Sequence, residues 1–324
     1  MQNLYDLTII GAGPAGIACG IAAQKAGLNY VILEKEYLVN SLYNFPVNMT
    51  FFSTSQKLEI GDTPFISHNE KPTRKEALEY YRRIVRSYNL NIEYGCKVES
   101  VSQTETFNLK CKDQTISSDF VIVATGYYDN PRTMGVEGES LNKVKHYYDD
   151  AHPYIGKKVL VVGAANSACD VALETWQKDA DVTMVIRKNH LYPKVKYWIL
   201  PNIQNRIEEG SIKAYFNSTI QRIEEKHVVL KTENGNVRIE NDFVLAMTGY
   251  KPDYNFLESL GISFENNTVK KPLLNTSTLE SNIENLYVAG VIVSGMNTSE
   301  LFIENTRHHG QKIVSDIVKK KRKG

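Results

Sequence analysis

The chain is poor in cysteine and carries no excess charge of either sign. Its four cysteines, Cys19, Cys96, Cys111 and Cys169, stand apart in 324 residues, and no pair is spaced C-x-x-C. The seven histidines form no cluster at zinc spacing. A structural metal site or a disulfide framework is therefore not expected, and such sparse cysteine suits a reducing compartment. Lys plus Arg number 38 against 37 Asp plus Glu, so no whole-chain pull toward nucleic acid or an acidic membrane is expected. The basic run 319–323 reads as a solvated, frayed helix end. Long apolar runs are also missing. The uncharged stretch 7–23 has three glycines and a proline in its first ten residues, no basic flank, and too little length for a bilayer. A soluble cytoplasmic protein without nucleic-acid or membrane partners is the expectation.

What remains is the composition of a folded globular chain, 42% apolar and 23% charged, too long for one ordinary core. Near the start, the apolar run 5–10 leads straight into Gly11-Ala12-Gly13-Pro14-Ala15-Gly16. A helix through Ile17, Ile21 and Ala22 then stops at Gly27, and a second strand, 30–33, ends at Glu34 with Lys35 behind it. Gly11 permits a tight turn, Gly13 lets a pyrophosphate approach the backbone, and Gly16 lets helix and strand pack closely. The helix N-terminus offers free N–H groups and partial positive charge to phosphates. Glu34, eighteen residues after Gly16, is placed to accept the two hydroxyls of an adenosine ribose.

The plan recurs at mid-chain. The run 158–162 leads into Gly163-Ala164-Ala165-Asn166-Ser167-Ala168, a helix through Val171, Ala172 and Trp176, and a strand over 182–186. Alanines replace the later glycines, so this loop is less open. Where the first unit has its acid, this reading places Arg187, with Lys188 beside it and Lys194 nearby. Such cations pair with a ribose 2′-phosphate that a carboxylate would repel. The economical assignment is FAD in the first unit and NADPH in the second.

Two near-copies, 120–126 and 243–249, each read as a buried strand ending in Ala-Thr-Gly or Met-Thr-Gly. Thr125-Gly126 and Gly249 are the expected crossing points and hinges between domains. A further buried strand, 286–290, precedes a helix expected from Asn297 or Thr298 to about Val318, its N-terminus aimed at the flavin. The expected fold is α/β with two Rossmann-like dinucleotide-binding domains: a discontinuous FAD domain, 1–125 and 253–324, into which an NADPH domain, 126–252, is inserted.

These motifs, in this order over nearly the whole chain, resemble the low-molecular-weight thioredoxin reductase type of flavoprotein. More narrowly, the chain resembles the YpdA family of bacillithiol-disulfide reductases. The matching strings are Asn44-Phe45-Pro46, Met49-Thr50-Phe51-Phe52-Ser53-Thr54, Leu58-Glu59-Ile60-Gly61, His146-Tyr147-Tyr148, Ala151-His152-Pro153-Tyr154, Asn166-Ser167-Ala168 and Phe302-Ile303-Glu304-Asn305. The resemblance implies an FAD enzyme that takes hydride from NADPH and reduces a low-molecular-weight disulfide. It implies FAD contacts from Gly11, Gly13, Pro14, Ala15, Gly16 and Glu34, with Phe52 and Ser53 alongside. It also puts Val98 at the adenine, and Gly290, Val291 and Phe302 near the ribityl chain and ring. Asn166, Ser167, Arg187 and Lys188 would hold NADPH. Homodimers or larger homo-oligomers are carried over from the same family.

Three departures qualify the likeness. Residues 147–157 contain no cysteine, so the C-x-x-C of thioredoxin reductases is missing and direct exchange with thioredoxin is not expected. Ala15 stands where many members of the bacillithiol group carry a cysteine. Val291 replaces the acid often found after the Val-Ala-Gly glycine. Cys19, one helical turn beyond Ala15, and His146 are weak catalytic candidates; His152, His308 and His309 are further potential proton donors. Rival readings are a flavodoxin or ferredoxin–NADP reductase serving a small redox protein, a flavin monooxygenase, or a non-enzymatic redox sensor.

Overall fold

Short β-branched runs that cannot stand in water alone become the central strands of two parallel sheets. The computed structural model describes residues 4–322, which divide into two units. Unit 1 comprises the described residues up to Asn44, Asn48–Asn130, and those from Tyr250 onward; unit 2 comprises Phe45–Val47 and Pro131–Gly249. Among the described residues no helix is long and apolar enough to cross a membrane.

Unit 1 opens with β1 (Leu4–Ile10), α1 (Pro14–Lys25), β2 (Tyr30–Glu34), α2 (Asn40–Tyr43), α3 (Arg74–Tyr88) and β3 (Ile92–Tyr94). A meander of β4 (Ser100–Gln103), β5 (Phe107–Lys110) and β6 (Thr115–Val123) follows. The strand order is β3-β2-β1-β6-β5-β4. β6 is shared: its first half pairs antiparallel with β5, while along its length it runs parallel to β1. Val31, Leu33 and Val123 on the sheet pack against Val98, Phe107, Leu109 and Ile116 of the meander and its approach. Each such fully buried side chain contributes about 1.5–3 kcal/mol.

Unit 2 repeats the plan with β7 (Val144–Lys145), β8 (Lys158–Val162), α4 (Asn166–Gln177), β9 (Asp181–Val185), α5 (Leu200–Glu208) and β10 (Lys213–Tyr215). Its own meander is β11 (Thr219–Ile223), β12 (His227–Thr232) and β13 (Gly235–Glu240), closed by β14 (Phe243–Ala246). The parallel order is β10-β9-β8-β14-β7, and Ile220, Ile223, Val228 and Leu230 of the meander cover Leu160, Val185 and Val244. The chain then completes unit 1 with α6 (Tyr254–Ser259), β15 (Leu286–Val288) on β6, α7 (Ile303–Thr306) and α8 (His309–Lys321). In each unit the strand order reverses beside the first strand, between β1 and β6 and between β8 and β14. Crevices at the carboxyl ends of such strands are where ligands bind in open α/β sheets.

Three sequence expectations need correction. Cys96 and Cys111 do not stand alone: they form a disulfide, Cα–Cα 5.8 Å. No motif announces it, because the approach to β4 and the end of β5 meet only once the meander is built. The last helix does not begin at Asn297 or Thr298. Asn297 instead donates to Glu300 and accepts from Ser299, closing a local turn. Helix starts only at Ile303, breaks after one turn, and resumes at His309. A one-turn α7 has too little dipole to support the expected effect on a flavin. Finally, the basic tail is not frayed where it is described. Lys320 pairs with Glu280 and Lys321 with Asp6, while Lys323 lies outside the described residues.

Candidate functional site

In unit 1 the turn after β1 is built from the absence of side chains. Gly11 has φ +106°, and a Cβ there would sit 2.7 Å from the Ala124 carbonyl oxygen, just past β6. A Cβ on Gly16 would lie 1.9 Å from the Gly11 carbonyl oxygen. Gly13 differs: its Cβ would meet nothing within 4 Å, so its side faces open space. The residue between is fully engaged. Ala12 N–H donates to Glu34 Oε2 (2.8 Å), and its carbonyl accepts from Val39 N–H (3.1 Å). A trans peptide keeps C=O and N–H on opposite sides, so Gly13 N–H points away from Val39. Among the described residues the N–H groups of Gly13, Ala15 and Gly16 find no acceptor. Three donors at the head of a twelve-residue helix, beside open space, fit a pyrophosphate.

Glu34 is 5% exposed, and burial is the main reason its carboxyl is held above the usual range. Its oxygens take one N–H each, from Ala12 and from Glu36 (3.0 Å). A carboxylate has about four acceptor sites, so capacity for a ribose diol remains. Lys35 is held by Asp129 (2.8 Å). Val39 itself sits at φ +47°, a conformation that β-branched residues avoid. No sequence signal marks it, yet its N–H fixes the glycine loop after β1.

Two of the family-specific strings meet in the same unit. Ser53 Oγ donates to Glu304 Oε2 (2.6 Å), and Arg307 Nη1 donates to the carbonyls of Gln56 (2.8 Å) and Glu59 (3.1 Å). These bonds tie the loop carrying Phe52 to the turn carrying Phe302. Phe302 is 43% exposed, so plain core packing does not explain it. Gly290, at φ +83°, donates its N–H to His309 Nδ1 (3.1 Å). That bond leaves the imidazole proton on Nε2. Burial, helped by Lys312 and His308, pulls the His309 pKa down to about 4, so the ring is neutral at pH 7. Val291 opens a short turn beyond Gly290, and Val98 is buried with Cys96 and Leu109. Gly126, expected as a hinge, has φ +69°.

In unit 2, Gly163 (φ +137°) plays the part of Gly11: a Cβ would lie 2.6 Å from the Met247 carbonyl oxygen, just past β14. Ala165 precedes α4, and the N–H groups of Asn166, Ser167 and Ala168 have no acceptor among the described residues. The Asn166 side chain also binds within the chain. Its Oδ1 accepts from Lys196 N–H (2.9 Å), and Tyr192 N–H bonds to the Ala164 carbonyl (2.9 Å). The segment 192–196 is thereby pinned to the glycine loop.

Backbone register corrects one equivalence. Gly11 N–H bonds to Leu33 O, and Gly163 N–H to Val185 O. The counterpart of Glu34 is therefore Ile186, fully buried, and Arg187 corresponds to Lys35. The sequence spacing was one residue off because β9 is followed by an apolar residue before its cations. Unit 2 thus offers no carboxylate at the diol position. Arg187, Lys188 and Lys194 are exposed and without ion-pair partners among the described residues.

The cysteine and histidine candidates lie as follows in the fold. Cys19 is fully buried in α1 and Cys169 in α4, and burial pushes both thiols up to about 12. His146 lies in unit 2, its Nε2 3.4 Å from Glu139 Oε1, while that carboxylate also accepts from Met134 and Gly135 N–H. His152 and His308 are exposed.

A family model described as pyridine nucleotide-disulphide oxidoreductase matches residues 8–290. Bacilliredoxin reductase Bdr of Bacillus subtilis (strain 168) is 43% identical over 315 residues, 96% of this chain and 97% of that protein. The solved structure of bacillithiol disulfide reductase Bdr (YpdA) from Staphylococcus aureus superposes with a TM-score of 0.95 at 40% identity, covering 99% of this chain and all of the other. Thioredoxin reductase from T. acidophilum, at 20% identity and TM-score 0.78, covers 99% of this chain and 100% of that one, and shares the fold alone. The thioredoxin reductase-like α/β fold is therefore established. The monooxygenase likeness, also at 20% identity, reaches no further than the fold.

Proposed function

The chain belongs to the pyridine nucleotide-disulphide oxidoreductase family and, within it, to the Bdr (YpdA) reductases, and from that premise we propose that it binds FAD in unit 1 and NADPH in unit 2 and reduces the disulfide of bacillithiol or a closely similar thiol. Membership makes it an oxidoreductase using a flavin and a pyridine nucleotide. The finer assignment rests on one observation: the two equivalent strand ends differ, the buried Glu34 carboxylate followed by Lys35 held on Asp129 in one, and Ile186 followed by Arg187 and Lys188, without ion-pair partners among the described residues, in the other. When bound, the flavin would accept hydride from the nicotinamide and pass two electrons on to a disulfide.

The chain's own groups then have distinct tasks. Gly13, Ala15 and Gly16 offer N–H donors to the pyrophosphate of FAD, and Glu34 both braces the loop and receives the ribose hydroxyls. Gly290, held by neutral His309, lets the turn after β15 close on the glycine loop, since a Cβ there would meet the Ala15 Cβ at 3.1 Å. Ser53, Glu304 and Arg307 hold Phe52 and Phe302 at their places. Neither free cysteine supplies a thiolate at neutral pH, since both thiols are pushed to about 12. Self-association into a homodimer or larger homo-oligomer belongs to the same proposal and is read by light scattering.

Anaerobic stopped-flow absorbance tests the reading. The purified protein takes up FAD and turns yellow, bleaches on NADPH, and recovers its colour on adding bacillithiol disulfide. A protein that takes up no FAD, or whose bleached form ignores that disulfide, contradicts it.

A further inference from the structure

Outside the nucleotide loops, the feature that the function above leaves unused is the Cys96–Cys111 bond. Both cysteines are almost fully buried, but beneath a thin cover: Tyr94, Gly95, Lys97 and the turn 112–115 are exposed. The side-chain amide of Gln114, in that turn, reaches Cys96 Sγ at 3.9 Å. Lys97 and Lys112, each next in sequence to one of the cysteines, place positive charge at the cover.

The bond is wired to the flavin loop. Cys96 N–H donates to the Glu34 carbonyl (3.0 Å), and the Glu34 carboxylate accepts from Ala12 N–H (2.8 Å). Two residues further on, Val98 belongs to the same buried cluster. Unit 2 shows that this connection needs no covalent bond. There Ser218 N–H donates to the Ile186 carbonyl (3.1 Å), the counterpart of the Cys96–Glu34 bond, and no cross-link is present. The duplicated meander is built without one, so the architecture alone does not call for the bond. Disulfides in chains that work among free thiols are usually transient, catalytic or redox-sensing.

We propose that Cys96 and Cys111 form a thiol–disulfide exchange site for low-molecular-weight thiols, which sets how tightly unit 1 holds its dinucleotide. A small thiolate attacks Cys111 Sγ and the Cys96–Cys111 bond breaks. Cys96 leaves as a thiolate facing the Gln114 amide and takes up a proton. A second small thiolate attacks the small-molecule sulfur of the mixed disulfide, and Cys111 is released and protonated. Two small thiols are thus oxidised to one disulfide while the protein bond is reduced to two thiols. The reverse sequence recloses it. The oxidised small molecule is of the same class as the substrate proposed above, so the site would couple flavin retention to the thiol balance that the enzyme serves. The coupling rests on the flavin reading of unit 1; the exchange chemistry does not.

The test uses the full-length flavoprotein equilibrated with graded ratios of glutathione to glutathione disulfide. Acid quenching, alkylation under denaturing conditions and intact-mass measurement count the free thiols. The expected result is a change from two to four labelled cysteines within that range, with the 96 and 111 peptides linked only at the oxidised end. FAD release, followed by its fluorescence on dilution, should be about tenfold faster in the reduced protein. The Cys96→Ser/Cys111→Ser variant should release FAD at the fast rate whatever the ratio. If that variant does not fold, reversible reduction of the wild type carries the comparison. Four free thiols at every ratio, a bond that never opens, or equal release rates in both states would each overturn the proposal. A protein that takes up no FAD refutes the functional reading and the coupling, and the thiol count then decides the exchange chemistry by itself.

Discussion

Replacing Gly13 and Gly16 separately by alanine should divide one loop into its two duties. The added Cβ of Gly16→Ala would lie 1.9 Å from the Gly11 carbonyl oxygen and 3.0 Å from its carbon. Both are backbone atoms, so no flexible side chain can swing aside, and the turn after β1 must shift. Overpacking of this kind costs about 1–3 kcal/mol or somewhat more. Gly13→Ala adds a methyl with nothing within 4 Å, at φ −73° and ψ 175°, which alanine adopts freely. A lower unfolded-state entropy and a slightly poorer helix cap roughly cancel, so stability should change by no more than about 0.5 kcal/mol. The methyl would enter the open space beside the three N–H groups that have no acceptor among the described residues. A steric penalty of about 1–3 kcal/mol on FAD corresponds to roughly 5- to 150-fold weaker binding. The assays are urea unfolding of FAD-free protein and FAD titration by fluorescence quenching. Gly16→Ala should lose stability even without FAD; Gly13→Ala should lose FAD alone. Wild-type FAD affinity in Gly13→Ala would refute the placement of the pyrophosphate, and wild-type stability in Gly16→Ala would refute the packing argument.

His309 makes stability depend on acid. Its folded pKa, about 4, lies below the unfolded value of about 6.5, so in that window the unfolded chain binds the extra proton. The stability is therefore complete above pH 6.5 and is lost as pH falls toward 4, by at most about 3 kcal/mol. Urea unfolding at pH 7 and 4.5 should show a steeper loss in the wild type than in His309→Gln, and parallel losses would remove the imidazole from the account. Cys19→Ala should keep reductase turnover within about twofold, because a fully buried thiol held near 12 is not a nucleophile; a tenfold fall would reinstate it.

Much of this was legible because glycine announces its own reasons. Gly11, Gly16 and Gly163 mark places where a Cβ meets backbone, and their spacing carries that information along the chain. The buried parallel strands were readable for the same local reason, since β-branched runs bounded by turns have few other homes, whereas the sheet order and the antiparallel meanders came only with the fold. What escaped was tertiary. The Cys96–Cys111 bond joins residues that only the meander brings together. The start of the last helix was misplaced because Asn297 satisfies itself on Glu300, a choice its helix-capping propensity does not reveal. The Ser53–Glu304 bond spans 251 positions, and His309 on Gly290 appears only when α8 is docked. The one-residue error at Arg187 came from counting along the chain; hydrogen-bond register from Gly163 to Val185 resolves it. Residues 45–47 lie with unit 2, where Val47 N–H bonds to Asp149 O, although the flanking sequence belongs to unit 1.

The contrast between the ends of β2 and β9 is tested most directly by nicotinamide preference. Stopped-flow bleaching of the flavin should be compared for NADPH and NADH in the wild type, in Arg187→Ala and in Arg187→Ala/Lys188→Ala. Each lost exposed cation should lower kcat/KM for NADPH by about tenfold, near the low end for a charge-assisted contact, and leave NADH almost untouched. A wild type that takes NADH as readily as NADPH, or variants with an unchanged ratio, would contradict the assignment.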